Sequence, residues 1–454
     1  MSKNVLFIAY FFPPLGGSGV QRSLKFVKYL PEFDYKPIVA TVKNGHNYTY
    51  DFNMLSEIPE EAKVYRSNSG EKLWLRNIIE KTNSTLRKIK KIKINKNEEI
   101  TTYESKDGIE SNSEGIKERI FKYLECNYYV PDTKIRWYNH AIKNISNVIL
   151  KENNIDVIFS TSYPYTDHLI ALAIKEKTSL PWVADFRDPW IGNKLMMSKF
   201  SDDRVKKEEK LERKVVENAD IVINAAEQVT NMYKKRYPEY KDKFITITNG
   251  FDKKDVPEKI SCKNDKFNMS YTGLLVEDEK PETLITLLEE MCNENIEFKN
   301  DLVLKFTGTI SPGVQKMLKE TKIYDNIIIN DYVEHDKAVR IMQEASINVL
   351  LLPDDDEGKW IYSGKIFDYI LAQRPILGIV HKEGVAAELI NSNNIGLGCG
   401  HDEKEKAKEY ILKIYKKFKN GEDLFTDSIN RCSEFDRINL TKRLTQCFDK
   451  VMSK

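Results

Sequence analysis

The stretch YSGKIFDYILAQRPILGIV, residues 362–380, sets a small-residue turn ahead of a helical segment that runs into an apolar strand. Ser363 and Gly364 open the helix, and Lys365 and Asp368 follow with a spacing of one turn. Two chemistries fit these residues. On a capped surface helix the pair is an i,i+3 ion pair contributing roughly 0.2–0.5 kcal/mol. In a ligand site, the unpaired N–H groups of the helix start favour an anion and the lysine adds positive charge. The carboxylate one turn on then accepts hydrogen bonds from a sugar diol. The stretch alone leaves both readings open.

Four further stretches carry comparable alternatives. GGSG at 16–19 contains Gly16 and Gly17, whose missing side chains allow close backbone approach to a phosphate or sugar. It is neither a nicotinamide fingerprint, since GxGxxG is absent, nor a P-loop, since no Gly-Lys-Ser/Thr closes it. ADFRDPW at 184–190 gathers Asp185, Arg187 and Asp188 at the end of a predicted strand, where doubly wound sheets hold their ligands. A structural Arg–carboxylate cluster pinning the loop fits as well. STSYPYTDHL offers His168, either a site residue or an ordinary helix histidine. LLLPDDDEGKW at 350–360 holds Asp354 and Asp356, a pair able to bind a divalent metal or simply to face water.

The elements that must position these residues alternate regularly. NVLFIAY is continuously apolar, as a strand covered on both faces should be, and the glycine loop leads from it to the helically spaced VQRSLKFVKYL. KPIVATV, IDVIFSTS, PWVADFRD, ADIVINAA and FITITNGFD supply the remaining strands of this half. The second half restarts with FNMSYTGLL and continues through DLVLKFTGT, NIIINDYV, INVLLLP and PILGIV, separated by helical stretches. This alternation predicts an α/β fold of two Rossmann-like domains facing a central cleft, with a polar linker near 251–266. The expected domains are 1–252, with a basic insertion at about 70–118, and 253–454, whose final helix is a candidate to pack back on the first.

Composition narrows the classes. At 454 residues the chain is too long for one core, and a net charge of +2 gives no global case for nucleic acid. Six scattered cysteines without a CxxC pair indicate neither a zinc site nor a disulfide framework and fit a reducing cytoplasm. The apolar N-terminal run is too short for a membrane span and breaks at Pro13-Pro14, so it reads as a buried strand. Residues 71–99 depart from the α/β rhythm: nine Lys/Arg stand against four Glu, with Trp74, Leu75, Ile78 and Ile79 among them. Either a solvated helix or an interfacial one meeting anionic lipid fits, the latter through Trp74, Arg87, Lys88, Lys90, Lys91 and Lys93.

Taken together, PPLGGSGVQRSLKF, PWVADFRDPW, TNGFD, YTGLL and LLLP…YSGKIFDYILAQRPIL resemble retaining glycosyltransferases of GT-B fold. The nearest group is the bacterial family-four-like enzymes that build cell-surface polysaccharides. The resemblance runs over nearly the whole chain. It implies a nucleotide-sugar donor as substrate, no cofactor and no bound metal. It further implies Asp368 at the donor ribose and Ser363, Gly364 and Lys365 near the diphosphate, so it favours the ligand reading of 362–380. Two positions depart from the family pattern. The first acid of its Glu-x7-Glu motif falls on Trp360, leaving Glu357 or an Asp of 354–356 to stand in. Leu274 occupies an arginine's place, with only Lys280 near the usual lysine.

The function expected is therefore transfer of a sugar, with retention, from a nucleotide-sugar to a hydroxyl of a lipid-linked glycan. Gly16, Gly17, Lys280, Ser363, Gly364, Lys365 and Asp368 would bind the donor. Asp185, Arg187, Asp188 and His168 would face the acceptor and transferred sugar, and the basic stretch would hold the enzyme on the cytoplasmic membrane face. The competing readings are a sugar-nucleotide epimerase or hydrolase on the same fold and a non-catalytic nucleotide-sugar-binding subunit.

Overall fold

The computed structural model describes residues 2–45, 50–71, 126–256, 265–355 and 358–453. The chain divides into two compact units. The first comprises Met1–Val27, Asp34–Val222 and Val451–Lys454; the second comprises Lys28–Phe33 and Ile223–Lys450.

Seven strands form one sheet: β1 (Lys3–Ile8), β2 (Tyr35–Val42), β3 (Lys63–Ser67), β4 (Val157–Ser162), β5 (Trp182–Phe186), β6 (Ile221–Asn224) and β7 (Phe244–Thr246), in the order β3-β2-β1-β4-β5-β6-β7. β1 lies parallel to β2 on one side and to β4 on the other, so the strand order reverses between β1 and β4. Val5 to Ile8 are fully buried, as an unbroken apolar strand between two helical layers requires. Two helices matter for positioning here. α1 (Ser18–Tyr29) follows the glycine loop, and α2 (Thr166–Thr178) follows β4.

The second sheet has six strands: β8 (Phe267–Thr272), β9 (Leu302–Thr307), β10 (Ile327–Asn330), β11 (Ile347–Leu351), β12 (Ile376–Ile379) and β13 (Gly396–Cys399), ordered β10-β9-β8-β11-β12-β13. Its reversal lies between β8 and β11. Alternate residues feed two cores: Ile347, Val349 and Leu351 of β11 join one cluster, while Leu350 and Leu352 join the other. Burying each such side chain stabilises the fold by about 1.5–3 kcal/mol. α3 (Gly364–Ala372) sends Ile366, Phe367 and Ile370 into the second cluster and ends at Gln373, which adopts a left-handed conformation.

Both expected doubly wound parallel sheets are present. Each has one strand that the sequence reading lacks, and both are edge strands. β3, KVYRS, is half-exposed and charged; β13, GLGC, has two glycines and no alternating pattern.

Candidate functional site

In doubly wound sheets, ligands bind beyond the carboxyl ends of the strands where the order reverses. In the first unit that edge is built from the loops after β1, β4 and β5. Asp185, the penultimate residue of β5, is fully buried. Its carboxylate accepts two hydrogen bonds from Arg22 of α1, Nε at 2.9 Å and Nη2 at 2.7 Å, and a third from Thr161 Oγ1 at 2.7 Å. A fully satisfied buried pair of this kind fixes geometry. Asp185 therefore locks α1 against β4 and β5, rather than facing a ligand as expected.

Arg187, two residues on, reaches back to the glycine loop: Nη1 donates to Gly19 O at 3.0 Å, while Nε and Nη2 hold Asp188 at 3.1 and 2.9 Å. The Asp188 side chain is 47% exposed, which leaves it at the rim of this edge. Gly17 has φ +93, a left-handed conformation that side chains disfavour, so the loop needs glycine there. Beyond Asp188 the loop is anchored firmly. Trp190 is buried and donates to Glu208 at 2.8 Å, Ile191 N–H donates to Glu212 at 2.9 Å, and the Tyr165 ring stacks on Trp190 at 4.5 Å. The structural alternative for ADFRDPW thus holds for Asp185, and an edge position holds for Arg187 and Asp188.

His168 is not at the edge. It is fully buried in α2, stacked on Phe186 at 4.6 Å. Trp182 Nε1 donates to Ser160 Oγ at 2.9 Å, and Ser160 Oγ and His168 Nδ1 share a hydrogen bond at 2.8 Å whose direction depends on the ring tautomer. Burial keeps the imidazole neutral and pushes its pKa down to about 3. Its helix spacing among Ile170, Ala171, Leu172 and Ile174 places it inward, the physical reason for its core position.

Two buried acids that the sequence reading did not single out shape the same edge. Asp167 Oδ2 accepts the Tyr10 N–H at 2.8 Å, just after β1, and burial drives its pKa well up. Asp132 accepts Thr166 N–H at 2.9 Å and Thr166 Oγ1 at 2.8 Å, capping the start of α2. Neither lies in a recognisable motif, so only tertiary packing reveals them.

In the second unit the corresponding edge lies between β8 and β11. The Tyr369 hydroxyl of α3 donates to Val349 O of β11 at 2.8 Å and accepts the Thr272 N–H of β8 at 3.3 Å. The helix is thereby tied across the reversal point. A Cβ placed on Gly364 would meet nothing within 4 Å, so the start of α3 faces open space. Asp368 is half-buried one turn further along.

Lys365 is engaged differently from the expectation of a phosphate contact. Its ammonium donates to Leu274 O at 2.9 Å, to Glu279 Oε1 at 2.9 Å and to the Tyr271 hydroxyl. Burial lowers its pKa, and Glu279 opposes that shift. Its stem lies so close to Gly273, at φ +121, that a Cβ there would sit 2.9 Å from Lys365 Cε. Lys365 is thus a strut holding the loop after β8. Glu279 and Tyr271, its partners, were not evident as site residues in the sequence. Lys280 ends the following turn with φ +48 and is exposed.

Gly16 and Gly17 lie in the first unit and Lys280, Ser363, Gly364, Lys365 and Asp368 in the second, so the second unit gathers five of the expected donor residues at one reversal point. Asp354 is exposed, and Asp355 accepts the Gly358 N–H at 2.9 Å. Asp356, Glu357, Trp74, Arg87, Lys88, Lys90, Lys91 and Lys93 lie outside the described residues.

No protein-family model matches the sequence, and no curated protein sequence is similar to it. Solved structures do match over almost the full length. A glycosyltransferase from Rickettsia africae ESF-5 aligns with a TM-score of 0.58 at 11% identity, covering 99% of each chain. A mutant of S. aureus TarM, in complex with fondaparinux, alpha-GlcNAc-glycerol and UDP, aligns at 0.56 and 12% identity, over 98% of this chain and 99% of that one. The N-terminal domain of Candida albicans trehalose-6-phosphate phosphatase aligns at 0.61 and 9% identity, over 99% of this chain and 97% of that one. At such identities the likeness concerns the fold: this chain has the α/β architecture of GT-B glycosyltransferases, two Rossmann-like units each built on a parallel sheet.

Proposed function

We propose that the protein is a glycosyltransferase that moves a sugar from a nucleotide-sugar to a hydroxyl of a glycan acceptor. The observation that carries this reading is the second unit's reversal point. There an open helix start at Ser363 and Gly364, a carboxylate one turn on at Asp368 and an exposed Lys280 share one sheet edge. The fold likeness supports it, since TarM, one of the matched structures, was solved with UDP.

The chemical demand is to stabilise a nucleoside diphosphate as it leaves. Unpaired N–H groups at the start of α3 and the Lys280 ammonium are suited to that charge, and Asp368 to the ribose diol. Lys365 acts one step back by holding the Gly273–Lys280 loop. In the first unit, Arg187 and Asp188 are the groups suited to the acceptor and transferred sugar, positioned by the Arg22–Asp185 pair. The reading extends to retention of configuration, a hexosyl donor, a metal-independent reaction and a lipid-linked acceptor in cell-surface polysaccharide synthesis. The sequence resemblance supports each of these. Attachment to the inner membrane face through the basic stretch belongs to the same proposal.

A panel of nucleotide-sugars titrated against the chain by calorimetry tests the donor site. One nucleotide should bind, and Asp368→Asn should weaken it about ten- to a hundredfold, the loss of a charge-assisted hydrogen bond. Equal affinity in the variant would remove Asp368 from the site.

A further inference from the structure

At the carboxyl ends of β2 and β3 the first unit contains a cavity of about 240 Å³ that the catalytic proposal does not use. Pro14 and Leu15 form one wall, and Tyr50, bridged to Leu15 in antiparallel fashion, forms another. The polar side chains on it are Lys43, Asn44, Tyr50 and Arg66, and none of the described residues lining it is acidic.

Arg66 is the informative member. Among the described residues its guanidinium donates only to backbone carbonyls, Nη2 to Pro13 O at 2.5 Å and Nη1 to Val42 O at 3.4 Å, the second a long bond. A guanidinium carries five N–H donors, so most of them have no partner among the described residues. The side chain is half-buried, and burial pulls its pKa below the ordinary value. A partly desolvated cation is normally paired with a carboxylate. Lys43, exposed on the same cavity, adds a second positive charge. Asn44 Oδ1 accepts the Ser69 N–H at 2.9 Å, which fixes the amide and leaves its NH₂ as a further donor. Tyr50 donates its hydroxyl to Gly45 O at 2.8 Å and so closes the rim. The wall therefore offers donors and positive charge around a space large enough for a phosphate or carboxylate group.

We propose that the Arg66–Lys43 cavity is an oxyanion subsite, and that the anion it holds is a phosphate or carboxylate group of the sugar acceptor. The assignment to the acceptor rests on the glycosyltransferase reading; the assignment as an oxyanion site does not. The cavity adjoins the loop 13–17 at the carboxyl edge of the sheet, the edge that also carries Arg187 and Asp188. An anionic acceptor would be oriented there by a bidentate guanidinium contact.

Calorimetric titration of the full chain with inorganic phosphate and with glucuronate tests this, using wild type, Arg66→Gln, Lys43→Gln and, as a control for net charge, the exposed Lys36→Gln. Lys43 is exposed, so its variant keeps the fold if Arg66→Gln does not, and melting temperature checks both. At least one anion should bind the wild type, weaken about tenfold or more in Arg66→Gln and Lys43→Gln, and be unchanged in Lys36→Gln. The tighter anion identifies the acceptor group. Affinity equal in wild type and the two cavity variants, or no anion bound by the wild type, would overturn the site. In turnover with membrane extract, Lys43→Gln should raise the acceptor KM and leave the donor KM unaltered. An unchanged acceptor KM with anion binding lost would overturn the acceptor assignment alone, and absence of any transfer by the wild type would count against the transferase reading.

Discussion

Buried titratable groups separate residues that act from residues that hold. Asp185 and His168 share the carboxyl edge in sequence with Arg187 and Asp188, yet both are fully buried. His168 gives a sharp test of that placement. Its pKa falls from 6.5 to about 3 because burial disfavours the imidazolium. The unfolded chain takes up this proton below about pH 6.5, whereas the native state does not until pH 3. The stability held by the neutral ring is therefore complete above pH 6.5 and is lost as pH falls towards 3, at up to about 1.4 kcal/mol per pH unit. Urea denaturation between pH 7 and pH 4 should show a steeper loss for wild type than for His168→Gln; parallel profiles would contradict a buried neutral histidine. At this scale the sequence marks the charged segments correctly but does not rank their members. ADFRDPW contains Asp185 and Asp188 three positions apart, and only the packing of α1, which brings Arg22 to Asp185 at 2.7 Å, makes one a clamp and leaves the other at the rim. The same holds for Lys365. Its position at a helix start suggests a phosphate, while Glu279, far away in sequence, claims the ammonium.

Beside the Lys365 contacts to Tyr271, Leu274 and Glu279, one hydroxyl ties α3 to both β8 and β11. Tyr369 Oη bridges Thr272 N–H and Val349 C=O in a fully buried setting. Tyr369→Phe would leave a buried donor and acceptor unpaired, at a cost of about 1–3 kcal/mol. The urea midpoint should fall accordingly with an unchanged m-value, and donor affinity should fall with it because the helix start is no longer held at the reversal point. A variant as stable as wild type would show that the packing of Ile366, Phe367 and Ile370 and the Lys365 contacts fix α3 without this hydroxyl. Elements were the most legible level of this chain. Strands buried on both faces, such as those containing VLFIAY and VLLL, announce themselves by unbroken apolar runs. The half-exposed KVYRS and the glycine-rich GLGC at the sheet edges do not, because an edge strand needs less apolar surface.

For the molecule as a whole, the two parallel sheets follow from the alternation of strands and helices, and the reversal points say where ligands belong. The membrane proposal belongs to this scale. No helix among the described residues is long and apolar enough to cross a membrane, and the basic stretch containing Arg87, Lys88, Lys90, Lys91 and Lys93 lies outside them. Each cation near an anionic bilayer contributes about 1 kcal/mol, so the five together suffice for reversible attachment. Liposome flotation should require anionic lipid, weaken as salt rises, and collapse when the five become glutamine; equal flotation of that variant would show that the run is not the anchor. Sugar transfer itself is read out by release of nucleoside diphosphate from the nucleotide-sugar that binds, measured with and without membrane extract and in the presence of a chelator. Release should depend on the extract, persist in the chelator, and match the sugar incorporated into extractable glycan. Release at the same rate without extract, or a changed sugar with no release, would rule out transfer.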